Sequence, residues 1–151
     1  FEMLKFIDIK GNKNEINVDK LDLKYRSSNL KDTDIVTSAK FRITYGEIQI
    51  IKDKINLIKL EREKKQPLKE RTSGSTFKNP PNHFAAELID KAGCRGLEIG
   101  DAAVSLKHAN FLINNGRATA GEIEQLGKKI IDKVFDKFNI LLDWEIKVVG
   151  D

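Results

Sequence analysis

Residues 72–80 read TSGSTFKNP and lie between two long amphipathic segments. The stretch combines hydroxyl groups, a glycine, an ammonium group and an amide, and it ends on the first of two consecutive prolines. The diproline makes this end rigid, and Asn79 before it is biased towards an extended backbone. Because Gly74 has no Cβ, a ligand can approach Ser75 closely. The stretch predicts a loop that holds a polar or anionic ligand against a fixed backbone.

The residues before this loop change their hydrophobic period at Gly46. Residues 3–9 and 15–18 alternate as the two strands of a hairpin do. Residues 35–45 are rich in β-branched and aromatic side chains and predict one long strand. Three strands cannot bury a core alone, so we expect residues 1–45 to be the tail of a sheet-rich domain that starts upstream.

After Gly46, isoleucines recur at helical spacing and predict an amphipathic helix of about five turns, which Pro67 ends. These isoleucines are Ile48, Ile51, Ile55 and Ile58. A short helix is expected over residues 83–91. The predicted strands come first along the chain and a mixture of helices and strands follows them. This order indicates an α+β protein.

Thr119 and Glu122 match a capping box, in which two side chains satisfy the free amides at a helix start. Apolar residues then recur at helical spacing, which predicts a helix over about residues 120–138. Residues 141–149 alternate and predict a final strand.

The charge pattern argues against nucleic-acid binding. The chain has 27 basic and 23 acidic residues, and its lysines are interleaved with carboxylates. Nucleic-acid sites normally concentrate arginines and aromatic side chains. A lysine-rich solvated surface is favoured, with a local anion site for a phosphorylated small ligand as the alternative.

Other features exclude several further classes of protein. No run of 18 apolar residues predicts a membrane span, and the first residues lack a signal-peptide pattern. Cys94 is the only cysteine, which rules out an internal disulfide, and two histidines make structural zinc improbable. The chain begins with Phe1 rather than Met, so we expect a piece of a longer protein.

Local chemistry leaves several residues open to two interpretations. Ser75 suits an ordinary surface turn, and a hydrolase triad with His83 or His108 conflicts with the absence of a G-x-S-x-G elbow. Glu145 is either an edge-strand residue facing water or a functional carboxylate among apolar neighbours. Arg26 is either a surface arginine or a carboxylate-binding group.

Five short motifs follow one another along the chain. They are Tyr25-Arg26-x-Ser28, Gly74-Ser75-x-Phe77-Lys78-Asn79-Pro80-Pro81, Leu88-Ile89-Asp90-x-Ala92-Gly93-x-x-Gly96, Val104-Ser105-x-Lys107-His108-Ala109-Asn110-Phe111 and a terminal Glu145-Ile146 with Gly150. In this order they resemble the UDP-N-acetylenolpyruvoylglucosamine reductase (MurB) family, flavoenzymes of peptidoglycan synthesis. The resemblance spans nearly the whole chain.

The resemblance implies the C-terminal half of such an enzyme, because the glycine-rich segments that hold most of the FAD in that family are missing. Residues 1–45 would end the FAD-binding domain, and residues 46–140 would form a mixed α/β substrate-binding domain. Residues 141–151 would be a C-terminal strand that returns toward the flavin domain. The short connection between Pro81 and Phe84 resembles the branch without an inserted tyrosine-bearing loop.

The implied reaction is the NADPH-dependent, FAD-mediated reduction of UDP-N-acetylglucosamine enolpyruvate to UDP-N-acetylmuramate. The resemblance makes Ser75 the group that protonates C2 after hydride transfer to C3. Arg26 would neutralise charge on the substrate carboxylate, and Glu145 in its protonated form would hydrogen-bond it. Substrate contacts map onto Asn79, Lys65, His108 and Lys107, and Arg26 is also a candidate FAD contact.

The resemblance further implies a cytoplasmic monomer that acts in cell-wall biogenesis, cell shape and cell division. It implies FAD and NADPH as cofactors, a UDP-sugar as substrate, no metal, and neither nucleic acid nor membrane as partner. The 151-residue piece alone is expected to be inactive. The alternative is a non-enzymatic module that binds a nucleotide-sugar, which a missing flavin absorbance in the full-length protein would favour.

Overall fold

The computed structural model describes residues 1–150 and divides the chain into two compact units, the first covering Phe1–Ile51 and the second starting at Lys52. Each unit has its own antiparallel sheet. The chain is therefore a mixed α/β protein, in agreement with the α+β prediction. The assignment of residues 1–45 to an FAD-binding domain, and the other predicted domain bounds, stay predictions.

The first unit is built around a three-stranded sheet. Strand β1 (Met3–Ile7) lies between β2 (Lys13–Asn17) and β3 (Ile35–Lys40), and both pairings are antiparallel. The predicted hairpin is confirmed. The predicted strand over residues 35–45 is too long, because Lys40 already pairs with Met3 and β1 offers no partner beyond it.

Helix α1 (Ile48–Lys65) has the predicted length, and Pro67 follows its last turn. However, none of its residues is buried. Apolar side chains at Ile50, Leu57 and Leu60 fall outside the predicted row of isoleucines and are exposed as well, so the helix has apolar groups on more than one side.

The second unit contains a four-stranded antiparallel sheet with two helices. The sheet order is β4 (Thr72–Ser75), β7 (Phe111–Asn114), β6 (Ala102–Val104) and β5 (Glu98–Ile99). The helices are α2 (Ala85–Lys91) and α3 (Ala120–Phe138), and α3 contacts α2, β5 and β6. The largest fully buried side chains of this core include Phe77, Ile89, Leu126, Ile130 and Val134.

The predicted capping box opens α3. The Glu122 amide donates to Thr119 Oγ1 (3.2 Å), and the Thr119 amide donates to Glu122 Oε2 (2.7 Å). The helix ends at Asn139, whose φ of 54° is left-handed, a common way for a helix to terminate. Both bounds of this helix agree with the sequence prediction.

The end of the chain pairs less than predicted. Instead of a strand over residues 141–149, the structure has one isolated antiparallel bridge, between Trp144 and Phe77. The two rings lie 4.9 Å apart at their centroids. The Trp144 ring also lies against Gly127 of α3, which has no side chain to separate the ring from the helix backbone. Side-chain packing therefore holds this segment where a ladder was expected.

Candidate functional site

Ser75 ends strand β4 beside an open space. It pairs with Phe111 of β7 and is half-buried. Gly74 before it has a φ of +92°, and a Cβ at this position would meet nothing within 4 Å. The Gly74 amide donates to Thr72 Oγ1 (3.2 Å), which fixes the turn. The space beside the turn is thus open, and the close approach of a ligand to Ser75 stays a prediction.

The residues after Ser75 are hydrogen-bonded to the end of the chain. The Glu145 amide donates to the Thr76 carbonyl (2.9 Å), and the Lys78 amide donates to the Asp143 carbonyl (2.8 Å). Glu145 is half-buried, and its Oε2 atom is buried. Two residues that are 70 positions apart in sequence, Ser75 and Glu145, are thereby brought to adjacent backbone segments.

The opposite side of the same segment is bound by Asn110. The Phe77 amide donates to Asn110 Oδ1 (2.9 Å), and Asn110 Nδ2 donates to the Phe77 carbonyl (2.8 Å). The Thr76 amide donates to the Asn110 carbonyl (2.8 Å). Asn110 lies within one of the five sequence motifs, but no role was predicted for it. Its signal was a carboxamide next to buried apolar residues, which requires partners.

His108 lies in the same loop and is half-buried against Phe111, with 4.7 Å between the ring centroids. Burial lowers the pKa of the His108 imidazole below its ordinary value, and the positive Arg95 lowers it further. The Asn110 amide donates to His108 Nδ1 (3.3 Å), which assigns the proton of the neutral ring to Nε2. His108 is thus suited to donate a hydrogen bond without adding charge.

Arg95 fastens this loop to α2. Its Nε and Nη2 atoms donate to the two carboxylate oxygens of Asp90 (2.7 and 2.9 Å), and its Nη1 donates to the Leu106 carbonyl (2.6 Å). The pKa of Asp90 lies below its ordinary value, chiefly because of the hydrogen bond from Arg95. Sequence reasoning missed Arg95, since nothing in its local pattern predicts a partner eleven residues away.

The remaining predicted substrate contacts lie in different surroundings. Lys107 donates from Nζ to the Glu63 carbonyl and lines a cavity of about 390 Å³. Lys65 is exposed at the end of α1. Asn79 Oδ1 accepts from the Ala85 amide (3.0 Å) and so caps α2. Lys107 is therefore linked to the end of α1, whereas Asn79 is held at the start of α2.

Arg26 belongs to the first unit. It lies in a tight turn in which the Lys24 amide donates to the Ser27 carbonyl (2.9 Å), and its own φ of 56° is left-handed. The guanidinium lies 5.7 Å from the centroid of the Tyr25 ring. The turn gives Arg26 a defined backbone, and its predicted role stays a prediction.

No cluster of three or more histidine, cysteine, aspartate or glutamate side chains within residues 1–150 has the arrangement of a metal site. Over the same residues, no helix combines the length and apolar character that crossing a membrane requires. Cys94 is buried, and burial raises the pKa of its thiol, which keeps it in the neutral form.

Comparison with known proteins gives a consistent result. The family model for the UDP-N-acetylenolpyruvoylglucosamine reductase C-terminal domain matches residues 66–149. A UDP-N-acetylenolpyruvoylglucosamine reductase of Rhodopseudomonas palustris is 48% identical over 144 residues, which cover 95% of this chain and 47% of that protein. One of Rickettsia bellii is 45% identical over 147 residues, covering 97% of this chain and 49% of that protein.

A solved structure is similar as well. The crystal structure of UDP-N-acetylenolpyruvylglucosamine reductase (MurB) from Thermus caldophilus matches with a TM-score of 0.80 at 31% sequence identity. The match covers 95% of this chain and 52% of that one. The chain thus spans about half the length of the relatives it matches.

Proposed function

Because the chain belongs to the UDP-N-acetylenolpyruvoylglucosamine reductase family, we propose that its protein reduces UDP-N-acetylglucosamine enolpyruvate to UDP-N-acetylmuramate for peptidoglycan synthesis. The single observation that carries this proposal is the hydrogen bond between the Glu145 amide and the Thr76 carbonyl (2.9 Å). It joins Thr76, the residue after the proposed proton donor Ser75, to Glu145, one of the two proposed carboxylate-binding residues.

FAD is the cofactor that the reaction requires, and Gly74 offers an observation on its fit. The empty space where a Cβ would stand at Gly74 is compatible with a flat ring and a substrate close to the Ser75 hydroxyl. When bound, FAD supplies to C3 of the substrate the hydride that NADPH provides. Among the residues of this chain, Arg26 is our one candidate for holding FAD. We assign most FAD contacts to the part of the relatives that this chain does not match.

Ser75 supplies the proton that completes the reduction. After C3 has gained hydride, the electron pair of the former double bond lies on C2 and the adjacent carboxylate. The Ser75 Oγ–H bond breaks as the new C2–H bond forms, and the alkoxide then takes a proton from water. Serine is a weak acid, but the carbon at C2 is strongly basic, so a hydroxyl within hydrogen-bond reach is sufficient.

Glu145 and Arg26 stabilise the negative charge that builds on the substrate carboxylate. Protonated Glu145 donates a hydrogen bond to that carboxylate, and Arg26 neutralises it through its guanidinium fork. Groups held in place before the reaction need no reorganisation when the charge appears. The half-buried position of Glu145 strengthens such a hydrogen bond, because little water competes with it.

Four residues are proposed to bind the rest of the UDP-sugar. They are Asn79, Lys65, His108 and Lys107. His108 is the best supported, since its neutral ring has a donor at Nε2 that suits a sugar or diphosphate oxygen. Asn79 is supported by its rigid surroundings at the start of α2. We further propose a cytoplasmic, monomeric enzyme.

Stopped-flow spectroscopy of the full-length protein tests the proposal, because it separates the two half-reactions. We expect NADPH to bleach the flavin absorbance and the enolpyruvyl substrate to restore it. Ser75→Ala should leave bleaching by NADPH nearly unchanged and slow the reoxidation by orders of magnitude. Ser73→Ala is the matched control, since Ser73 lies in the same strand and is exposed; it should leave both steps unchanged.

Two results would overturn the proposal. A full-length protein without flavin absorbance that nevertheless binds the UDP-sugar would indicate a non-enzymatic binding module. Equal reoxidation rates in Ser75→Ala and the parent protein would remove Ser75 from the chemistry. Reoxidation measurements of Arg26→Lys test the arginine separately, because lysine keeps the charge but lacks the planar fork. A normal rate in that variant excludes bidentate carboxylate binding.

A further inference from the structure

On one side, the backbone after Ser75 has no neighbouring strand to pair with. Pairing between β4 and β7 stops at Ser75 and Phe111. The chain before Phe111 turns back on itself, since the Phe111 amide donates to the His108 carbonyl (3.0 Å). Phe77 is only 2% exposed, so its peptide groups would lie inside the protein without a ladder. Buried peptide groups need a substitute partner.

The Asn110 side chain is that substitute. Its Oδ1 accepts from the Phe77 amide (2.9 Å), and its Nδ2 donates to the Phe77 carbonyl (2.8 Å). A carboxamide offers an acceptor and a donor side by side, as a peptide group of a neighbouring strand does. Its carbonyl also accepts from Thr76. One residue thus fixes both residues that follow Ser75.

We propose that Asn110 is a positioning residue that sets the location of the Ser75 hydroxyl. The inference rests on the proposed function, in which Ser75 must lie within hydrogen-bond reach of the reacting carbon. Asn110 is 4% exposed, so water has little access to replace its hydrogen bonds. Glu145 and Asp143 hold the other edge of the same segment. Loss of Asn110 therefore frees one edge of the segment and shifts Ser75.

Asn114 provides a matched control. It ends strand β7, which begins directly after Asn110, and its side chain makes a similar set of hydrogen bonds. Its Oδ1 accepts from the Gly116 and Ala118 amides (2.9 and 3.0 Å), and its Nδ2 donates to the Ala118 carbonyl (3.2 Å). These bonds serve the turn before α3. Asn114→Ala should destabilise the protein as Asn110→Ala does without touching the segment after Ser75.

The kinetic test compares both variants in the full-length protein. Asn110→Ala should slow flavin reoxidation by the enolpyruvyl substrate about 10- to 100-fold, because small misplacements of reacting groups are costly. The loss should fall on kcat more than on KM, and the solvent deuterium isotope effect on reoxidation should rise. Flavin reduction by NADPH should stay unchanged. Equal reoxidation rates in Asn110→Ala and Asn114→Ala would overturn the proposal.

Amide hydrogen exchange gives a readout that is independent of activity. Protection of the Phe77 amide should fall at least about 10-fold in Asn110→Ala and remain in Asn114→Ala. If Asn110→Ala does not fold, Asn110→Asp decides: its carboxylate keeps the acceptor for the Phe77 amide but lacks the donor for the carbonyl, and reoxidation should still be slowed. Unchanged reoxidation there would overturn the proposal.

The proposed function and the positioning by Asn110 can be tested separately. If the parent protein shows no reoxidation by the enolpyruvyl substrate, the proposed function is wrong. The positioning by Asn110 is then judged on exchange alone: selective loss of Phe77 protection in Asn110→Ala supports it, and equal protection in both alanine variants overturns it.

Discussion

The Glu145 amide donates a hydrogen bond to the Thr76 carbonyl at 2.9 Å. Thr76 directly follows Ser75, so this single bond ties the end of the chain to the residue beside the proposed proton donor. The bond depends on the neighbouring Trp144, whose ring packs between Phe77 and Gly127. Changes in α3 should therefore reach the site through the tryptophan.

Gly127→Ala should destabilise the protein and disturb the site. A Cβ at this position would overlap the Trp144 ring and lie 2.8 Å from its Cζ2 atom. Overpacking of this kind costs about 1–3 kcal/mol. Because Trp144 is the only tryptophan, its fluorescence reports the displacement directly, and we expect a red shift together with a lower urea midpoint.

Gly121→Ala is the control for this change, since it lies in the same helix and a Cβ there would meet only Thr119 Oγ1 at 4.0 Å. It should raise stability by roughly 0.5–1 kcal/mol, because alanine loses less backbone freedom than glycine. Equal stability and equal fluorescence of the two variants would contradict the packing argument.

Glu145→Gln should slow flavin reoxidation less than Glu145→Ala. Glutamine keeps a hydrogen-bond donor of similar reach, whereas alanine removes it, and loss of one such donor costs about 10²–10³ in rate. Stopped-flow reoxidation of the full-length protein measures both. Asp143→Asn changes an exposed carboxylate two residues earlier and should have no effect. Equal losses in the glutamine and alanine variants would exclude the role of donor.

Arg95→Lys should loosen the loop that carries His108. The guanidinium binds both oxygens of Asp90 and the Leu106 carbonyl, and an ammonium group cannot reproduce this fork. We expect a loss of about 1 kcal/mol in the free energy of unfolding. Faster amide exchange at residues 105–110 should accompany it.

Glu87→Gln controls for the loss of a charge pair on the same helix. Glu87 forms an exposed ion pair with Lys91 (3.7 Å), and such pairs contribute about 0.5 kcal/mol or less. If Glu87→Gln lowers the free energy of unfolding more than Arg95→Lys does, the forked hydrogen bonds of Arg95 do not stabilise the loop as proposed.

The sequence predicted those elements that local signals define. The capping box of Thr119 and Glu122 marks the start of α3, and it can be recognised from the sequence because its two residues are only three positions apart. The hairpin of β1 and β2 likewise depends on a nearby turn. Long-range partners set the other bounds. Strand β3 ends at Lys40 because its antiparallel partner β1 begins at Met3, which no local pattern encodes.

The same contrast between local signals and long-range partners holds for the candidate site. Ser75 and Glu145 could be selected by the family resemblance, but the bond that joins their segments spans 69 residues, from Thr76 to Glu145. Asn110 and Arg95 act through partners 33 and 11 residues away. Nor does the pattern of α1 reveal that its residues are exposed, because burial depends on what packs against a helix.

Acidification should weaken the protein through His108. Burial lowers the pKa of this imidazole below the ordinary 6.5. Between the lowered value and 6.5, the unfolded chain binds more protons than the folded one, so stability rises with pH across this window. The contribution is lost as pH falls through 6.5 and levels off below the folded pKa.

Urea midpoints measured between about pH 7.5 and about pH 5.5 check this dependence. His108→Gln should flatten the decline, because glutamine keeps polarity and does not titrate. His83→Gln removes the other histidine, which is exposed, and should leave the decline unchanged. If His83→Gln flattens the curve and His108→Gln does not, burial of His108 is not the cause of the acid sensitivity.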